Sequence, residues 1–104
     1  MRQRKMPGYD EIRLYKDDLM TVIHKHIPDG KLYLFGSRGV GAVMGRSDIE
    51  IAVDAGQEID SALLAKICKD IDALKIPYFI DVIDLNGVYD SMREHILETG
   101  VFWG

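Results

Sequence analysis

Strict alternation of acidic and aliphatic side chains runs through Asp48-Ile49-Glu50-Ile51-Ala52-Val53-Asp54, and few folds accommodate it. In an extended strand residues two apart share a face, so Asp48 and Glu50 point one way while Ile49, Ile51 and Val53 point the other. The segment therefore belongs in a sheet with one face buried and two carboxylates standing side by side on the opposite face. At ~4 Å and an effective dielectric of ~20, two such charges repel by about 4 kcal/mol. A cation is expected between them.

The residues just before this strand narrow the chemistry. Leu32-Tyr33-Leu34-Phe35 is an apolar run that breaks into a loop holding Gly36, Gly39, Gly41 and Gly45. Backbone N–H groups around those glycines, with Ser37, Arg38 and Arg46, suit phosphate oxygens. Phosphate donors beside paired acids point to a metal–nucleotide site.

Size limits how such a site can be used. The chain has 104 residues, 47% of them hydrophobic, which is enough for one small core. We expect a basic lead-in over residues 1–8 and a single domain over 9–104, with no second domain to hold a substrate. Thirteen basic against 17 acidic residues give a net charge of −4, which argues against non-specific binding to nucleic-acid backbone or anionic lipid. No apolar run follows Met1-Arg2-Gln3-Arg4-Lys5 to complete a signal peptide, and no apolar stretch of ~20 residues is present to cross a bilayer. A cytoplasmic protein is expected, and the single cysteine, Cys68, fits a reducing compartment.

The remaining elements follow from periodicity. Ile12, Tyr15, Leu19, Val22, Ile23 and Ile27 recur at three and four, predicting an amphipathic helix from Tyr9 to about Ile27 that Pro28-Asp29-Gly30 ends. His24 and His26 fall at its negative pole and lack the neighbours of a metal site. Leu32 to Phe35 reads as a strand buried on both faces, and Val40, Ala42, Val43 and Met44 could form a turn of helix in the loop. Asp60-Ser61 opens a second helix with Leu63, Leu64, Ile67, Ile71 and Leu74 inward, and Cys68 reads as a core or half-buried thiol. Tyr78 to Asp84 reads as a further strand, apolar enough to be central, in which Asp81 is costly unless paired or bound to a cation. Asp84 faces the other way and is expected to cap the next helix, with Asn86 at its start, Val88, Met92 and Ile96 inward, and Gly100 as its end. His95 is expected at the surface. The apolar terminus Val101-Phe102-Trp103-Gly104 either folds back on the sheet, the preferred reading, or joins a protein interface. The expected class is α+β, a small mixed β-sheet with helices packed on one or both faces.

Gly36-Ser37, ten intervening residues, then Asp48-x-Glu50, then a lone Asp81 on a later strand, together resemble the signature of the polymerase-beta-like nucleotidyltransferases. From Tyr9 to Trp103 the chain is similar to their minimal members, the MNT group. The resemblance implies the nucleotidyltransferase fold and ATP as substrate. Gly36 and Ser37 would hold the β- and γ-phosphates, with Arg38 and Ser47 also at the nucleotide. Asp48 and Glu50 would ligate two Mg²⁺ ions, and Asp81 would complete the second metal site or act as general base. Glu50 stands where many relatives carry Asp, which shifts the carboxylate by about one C–C bond. Val40 stands where close relatives carry a second basic residue.

Members of this group are commonly antitoxins paired with a HEPN-family ribonuclease toxin, and some transfer AMP from ATP to a toxin tyrosine. The resemblance thus implies an adenylyltransferase antitoxin whose acidic charge suits a basic partner. The competing reading is a catalytically weak module that neutralises its partner by occlusion. Transfer to a small molecule such as an aminoglycoside fits less well, since such enzymes generally carry a further domain. The plainest alternative makes Asp48, Glu50 and Asp81 unrelated surface acids and Gly36-Ser37 an ordinary turn.

Overall fold

A computed structural model describes the backbone of residues 9–35 and 48–104, with side chains described over 12–35 and 49–104. The expected lead-in over 1–8 and the expected helical turn between Arg38 and Arg46 lie outside these residues. The elements in chain order are α1 (Tyr9–His26), β1 (Lys31–Phe35), β2 (Asp48–Asp54), α2 (Ser61–Asp72), β3 (Phe79–Asp84), α3 (Asp90–Thr99) and β4 (Val101–Phe102).

The strands form one mixed sheet in the order β3-β2-β1-β4. β1 runs antiparallel to β2 and to β4, whereas β2 and β3, joined through α2, run parallel. Such a parallel pair needs a crossover long enough to return the chain to the same end, and α2 supplies it. The sheet was expected to hold β3 centrally, but β3 is an edge strand. Its apolar composition reflects packing on one face: Val82 is buried and Ile80 packs on the core, while Phe79 and Asp81 are exposed.

Parity divides the sheet into two unlike faces. Leu32, Leu34, Ile49, Ile51, Val53 and Val82 turn toward α1 and α2 and join Ile12, Leu19, Ile23, Ile67 and Ile71 in the main core. The apolar stripe expected on α1 accounts for this, since its three-and-four spacing puts Ile12, Leu19 and Ile23 on one side. The opposite face carries Tyr33, Phe35, Ala52 and Ile83, covered by Ile96 of α3 and by Leu85. The helices thus flank both faces, unevenly.

Three local features set the ends of these elements. Helix α2 ends through Lys75, which takes a left-handed φ of 59°, and the Lys75 N–H donates to the Asp72 carbonyl at 3.2 Å. Gly100 must be glycine: a Cβ there would lie 2.6 Å from the Ile96 carbonyl oxygen and 3.3 Å from that of Leu34, where α3 turns directly into β4. The terminus folds back as preferred, with the Trp103 N–H donating to Leu32 O at 2.8 Å and the Leu32 N–H to Gly104 O at 3.3 Å.

The start of the third helix differs from expectation. α3 begins at Asp90 with Tyr89 as N-cap, three residues later than an Asn86 cap would place it. Asn86 instead donates its Nδ2–H to Asp54 Oδ1 at 2.8 Å, and a tertiary acceptor has outcompeted the local cap. Asp84 likewise braces a turn rather than a helix, accepting from the N–H groups of Asn86 (3.0 Å) and Ile59 (2.8 Å).

Candidate active site

The acids are positioned by register. β2 and β3 run parallel with Glu50 directly opposite Asp81 and Asp48 directly opposite Phe79. In a parallel pair, opposed residues project to the same face, so Glu50 and Asp81 stand side by side, and Asp48 occupies the next position of the same parity on β2. The opposite parity, Ile49, Ile51 and Val53, is almost wholly buried, which pins this register, because a one-residue slip would push the acids into the core.

Among the described residues, helix α3 does not cover this end of the sheet. It packs over Ala52, Ile83 and Phe35 through Ile96, and beyond its cover Glu50 is half-buried and Asp81 exposed. The cost expected for Asp81 within an apolar row does not arise, because the edge position gives its carboxylate to solvent. Asp81 therefore needs no buried partner, and its place is explained by register alone.

The glycine-rich segment is tethered at the same end. β1 ends at Phe35, which is opposite Glu50, and β2 begins at Asp48. Gly36, Ser37, Arg38 and Ser47 lie on that connection, outside the described residues, as does the side chain of Asp48. Among the described residues no group of three His, Cys, Asp or Glu side chains could hold a metal. Glu50 and Asp81 put two hard oxygen donors on one face, a donor type that suits Mg²⁺ rather than a softer metal.

The other titratable groups have structural work. Asp54 shares the acid parity but sits at the far end of β2, where the Asn86 amide and then the Gly56 N–H (2.9 Å) hold its carboxyl below the usual range, with Arg93 and Lys31 adding to this. Asp70 is held low by His26, whose Nε2 lies 2.7 Å from Asp70 Oδ2 and ties α1 to α2. His24 donates to the Gly30 carbonyl at 3.0 Å, so both histidines at the helix end serve packing. Cys68 is half-buried as expected; burial, then Asp72, pushes its thiol up, which makes it a poor nucleophile. His95 is exposed.

Comparison with known proteins gives the arrangement a family. The model of the polymerase beta nucleotidyltransferases matches residues 17–102, most of the chain and every strand just described. The chain belongs to the polymerase beta nucleotidyltransferase family. Among relatives it is similar to the probable protein adenylyltransferase MntA of Haemophilus influenzae, 21% identical and spanning 88% of this chain and 82% of that protein. A solved toxin–antitoxin structure with AMP-PNP matches with a TM-score of 0.71 at 23% identity, over 86% of this chain and 72% of that one. The complex of tri-AMPylated Shewanella oneidensis HEPN toxin with MNT antitoxin matches with a TM-score of 0.69 at 22% identity, over 88% and 71% of the two chains. At these identities the structural likeness speaks for the fold: this nucleotidyltransferase has the α+β architecture expected of it.

One residue of this end went unassigned in the sequence. Phe79 is 64% exposed on the acid face, two residues from Asp81. Strand parity alone could have placed it there. Taking β3 as central concealed it, because a central strand would have buried the ring.

Proposed function

We propose that this nucleotidyltransferase moves AMP from ATP to a hydroxyl of a HEPN-family toxin, acting as its antitoxin. The observation that carries the reading is the register of Glu50 against Asp81, on the open face at the end of the sheet where the segment bearing Gly36 and Ser37 is attached. What is known of the MntA relative, of the toxin–antitoxin structure with AMP-PNP and of the AMPylated toxin supports the choice of nucleotide and of acceptor.

In this reading Gly36, Ser37, Arg38 and Ser47 bind the triphosphate, and Asp48, Glu50 and Asp81 form the catalytic end. Asp48 and Glu50, joined by Asp81, would hold two Mg²⁺ ions, which supply charge neutralisation and a more acidic acceptor hydroxyl. The acceptor oxygen forms a bond to the α-phosphorus as the bond from that phosphorus to the bridging oxygen of the β-phosphate breaks. Pyrophosphate leaves, and the hydroxyl proton passes to Asp81. Glu50 is half-buried, whereas the exposed Asp81 meets an acceptor arriving from solvent.

The test is transfer of label from α-labelled ATP to a co-expressed HEPN-family toxin, with and without Mg²⁺. Transfer should need the metal and be lost in Asp48→Ala. Transfer persisting unchanged in that variant removes Asp48 from the mechanism. Neutralisation that survives both Asp48→Ala and Ser37→Ala, with no label transferred, favours occlusion.

A further inference from the structure

At the edge of the sheet opposite β3, strand β4 borders a cavity that the acids do not use. The space, about 380 Å³, is lined by Ile12, Arg13 and Lys16 of α1, by Leu34 of β1, and by Val101 and Trp103. Register accounts for the placement. Val101 stands opposite Leu34, which faces α1, so Val101 projects to that side as well. Phe102 projects to the other side, where its ring centroid lies 5.4 Å from that of Tyr33.

The backbone beside the cavity is unused. Among the described residues no strand pairs with the outer side of β4. The Trp103 N–H donates to Leu32 O and so points toward β1. Neighbouring residues of a strand direct their backbone groups to opposite edges, and Phe102 therefore turns its N–H and C=O away from β1. One donor and one acceptor stand there, with the Val101 and Phe102 side chains 48% and 58% exposed. Such an edge takes an extended segment as a further strand, whose alternate side chains fall to the two faces. The charges select among such segments. Arg13 is exposed and Lys16 holds its Nζ 5.7 Å from the centre of the Trp103 ring; among the described residues neither forms an ion pair. Asp17 is the single acid lining the cavity, so two positive charges stand against one negative in a chain whose net charge is −4.

We infer that the β4 edge and its cavity dock an extended, apolar and acidic segment of another protein. The segment pairs with the Phe102 N–H and C=O and drops an apolar side chain onto Ile12, Leu34 and Val101. A carboxylate two residues further along, about 7 Å away, falls on the same side and meets Arg13 and Lys16. A second copy of this chain fits less well. Pairing two β4 edges about a two-fold axis at Phe102 would bring the Arg13 and Lys16 of both copies to one side of the joined sheet, where like charges repel. The surface lies across the sheet from Asp81, so the inference stands apart from the adenylyl-transfer reading.

The experiment measures fluorescence anisotropy of two labelled peptides against the full chain. One has the repeat Leu-Thr-Asp-Thr, which puts leucine and aspartate on one side of a strand; the other has lysine in place of aspartate. The aspartate peptide should bind about tenfold more tightly than the lysine peptide, and Arg13→Glu combined with Lys16→Glu should reverse that order. Phe102→Pro removes an N–H that β1 does not use and should abolish binding. Phe102→Ala keeps the N–H and loses the ring, and its affinity should stay within about threefold of wild type. Thermal melts confirm that each variant is folded; if Phe102→Pro is not, the charge reversal decides. No binding of the aspartate peptide up to about 1 mM, or equal affinity for both peptides, overturns the inference. Binding that survives Phe102→Pro overturns it too, since the cavity then takes an anion without an added strand. Sedimentation of the chain alone supplies the last outcome: a dimer that Phe102→Pro dissociates gives the edge to a second copy and overturns the inference.

Discussion

The two faces of the sheet are built from the same strands and do opposite work. Toward α1 and α2, the odd-numbered positions of β2 and the even-numbered ones of β1 and β3 are closed over by two helices. Toward α3, the alternate positions, Phe35 and Ala52 among them, are covered only in part by Leu85 and Ile96, and the acids stand beyond that cover. The larger core is what allows like charges to be held side by side. Their repulsion is opposed by a register that cannot slip without exposing Ile49, Ile51 and Val53. Stability and chemistry are thus segregated by strand parity, and substitutions on the two faces should separate cleanly.

The largest effect should come from the open face. Asp81→Asn is expected to slow adenylyl transfer by about 10²–10⁴-fold, the range for loss of a general base. Its unfolding free energy should stay within about 0.5 kcal/mol of wild type, because Asp81 is exposed. Paired denaturation and transfer assays check this, and a large stability loss would break the segregation. The reverse is expected of Ile51→Ala, at a wholly buried position of β2 next to Glu50. It should cost about 2–5 kcal/mol in denaturant unfolding, while the folded fraction retains its ATP affinity.

The far end of β2 sharpens the comparison, since Asp54 has the acid parity but a structural role. Asn86→Ala should cost about 1–2 kcal/mol at pH 7 by removing a hydrogen bond to a charged carboxylate. Because that bond holds the Asp54 carboxyl below its unfolded value, its contribution is complete above that value and lost as pH falls through the folded one. The gap between wild type and variant should therefore narrow below about pH 4 in acid-unfolding curves. The smallest effect belongs to the surface tie between α1 and α2. Asp70→Asn should lower the melting temperature by about 2–3 °C, and less at high salt, since the Asp70 side chain is 41% exposed. A salt-independent loss would show that the His26–Asp70 contact acts through packing rather than charge.

How far the site could be read from the residues depended on whether the signal was local. The alternation in β2, the stripe of α1 and the parity that separates Asp81 from Asp84 are all properties of consecutive residues, and the structure agrees with each. Asn86 was misread as a cap because its competing acceptor, Asp54, lies on another strand and no local pattern announces it. β3 was misread as central because Ile80 and Val82 are as apolar as a doubly covered strand requires, while the exposure of Phe79 depends on which strands lie beside it.

Side-chain periodicity is written into every short stretch of the chain, so the sequence by itself determined which residues share a face, where the helices present their apolar stripes and that two acids of β2 stand together. The order of strands and their register are agreements between distant segments, reached by burying one common core. Only the tertiary structure decided that β3 takes the edge, that Asp81 falls opposite Glu50, and that α3 stops short of them both.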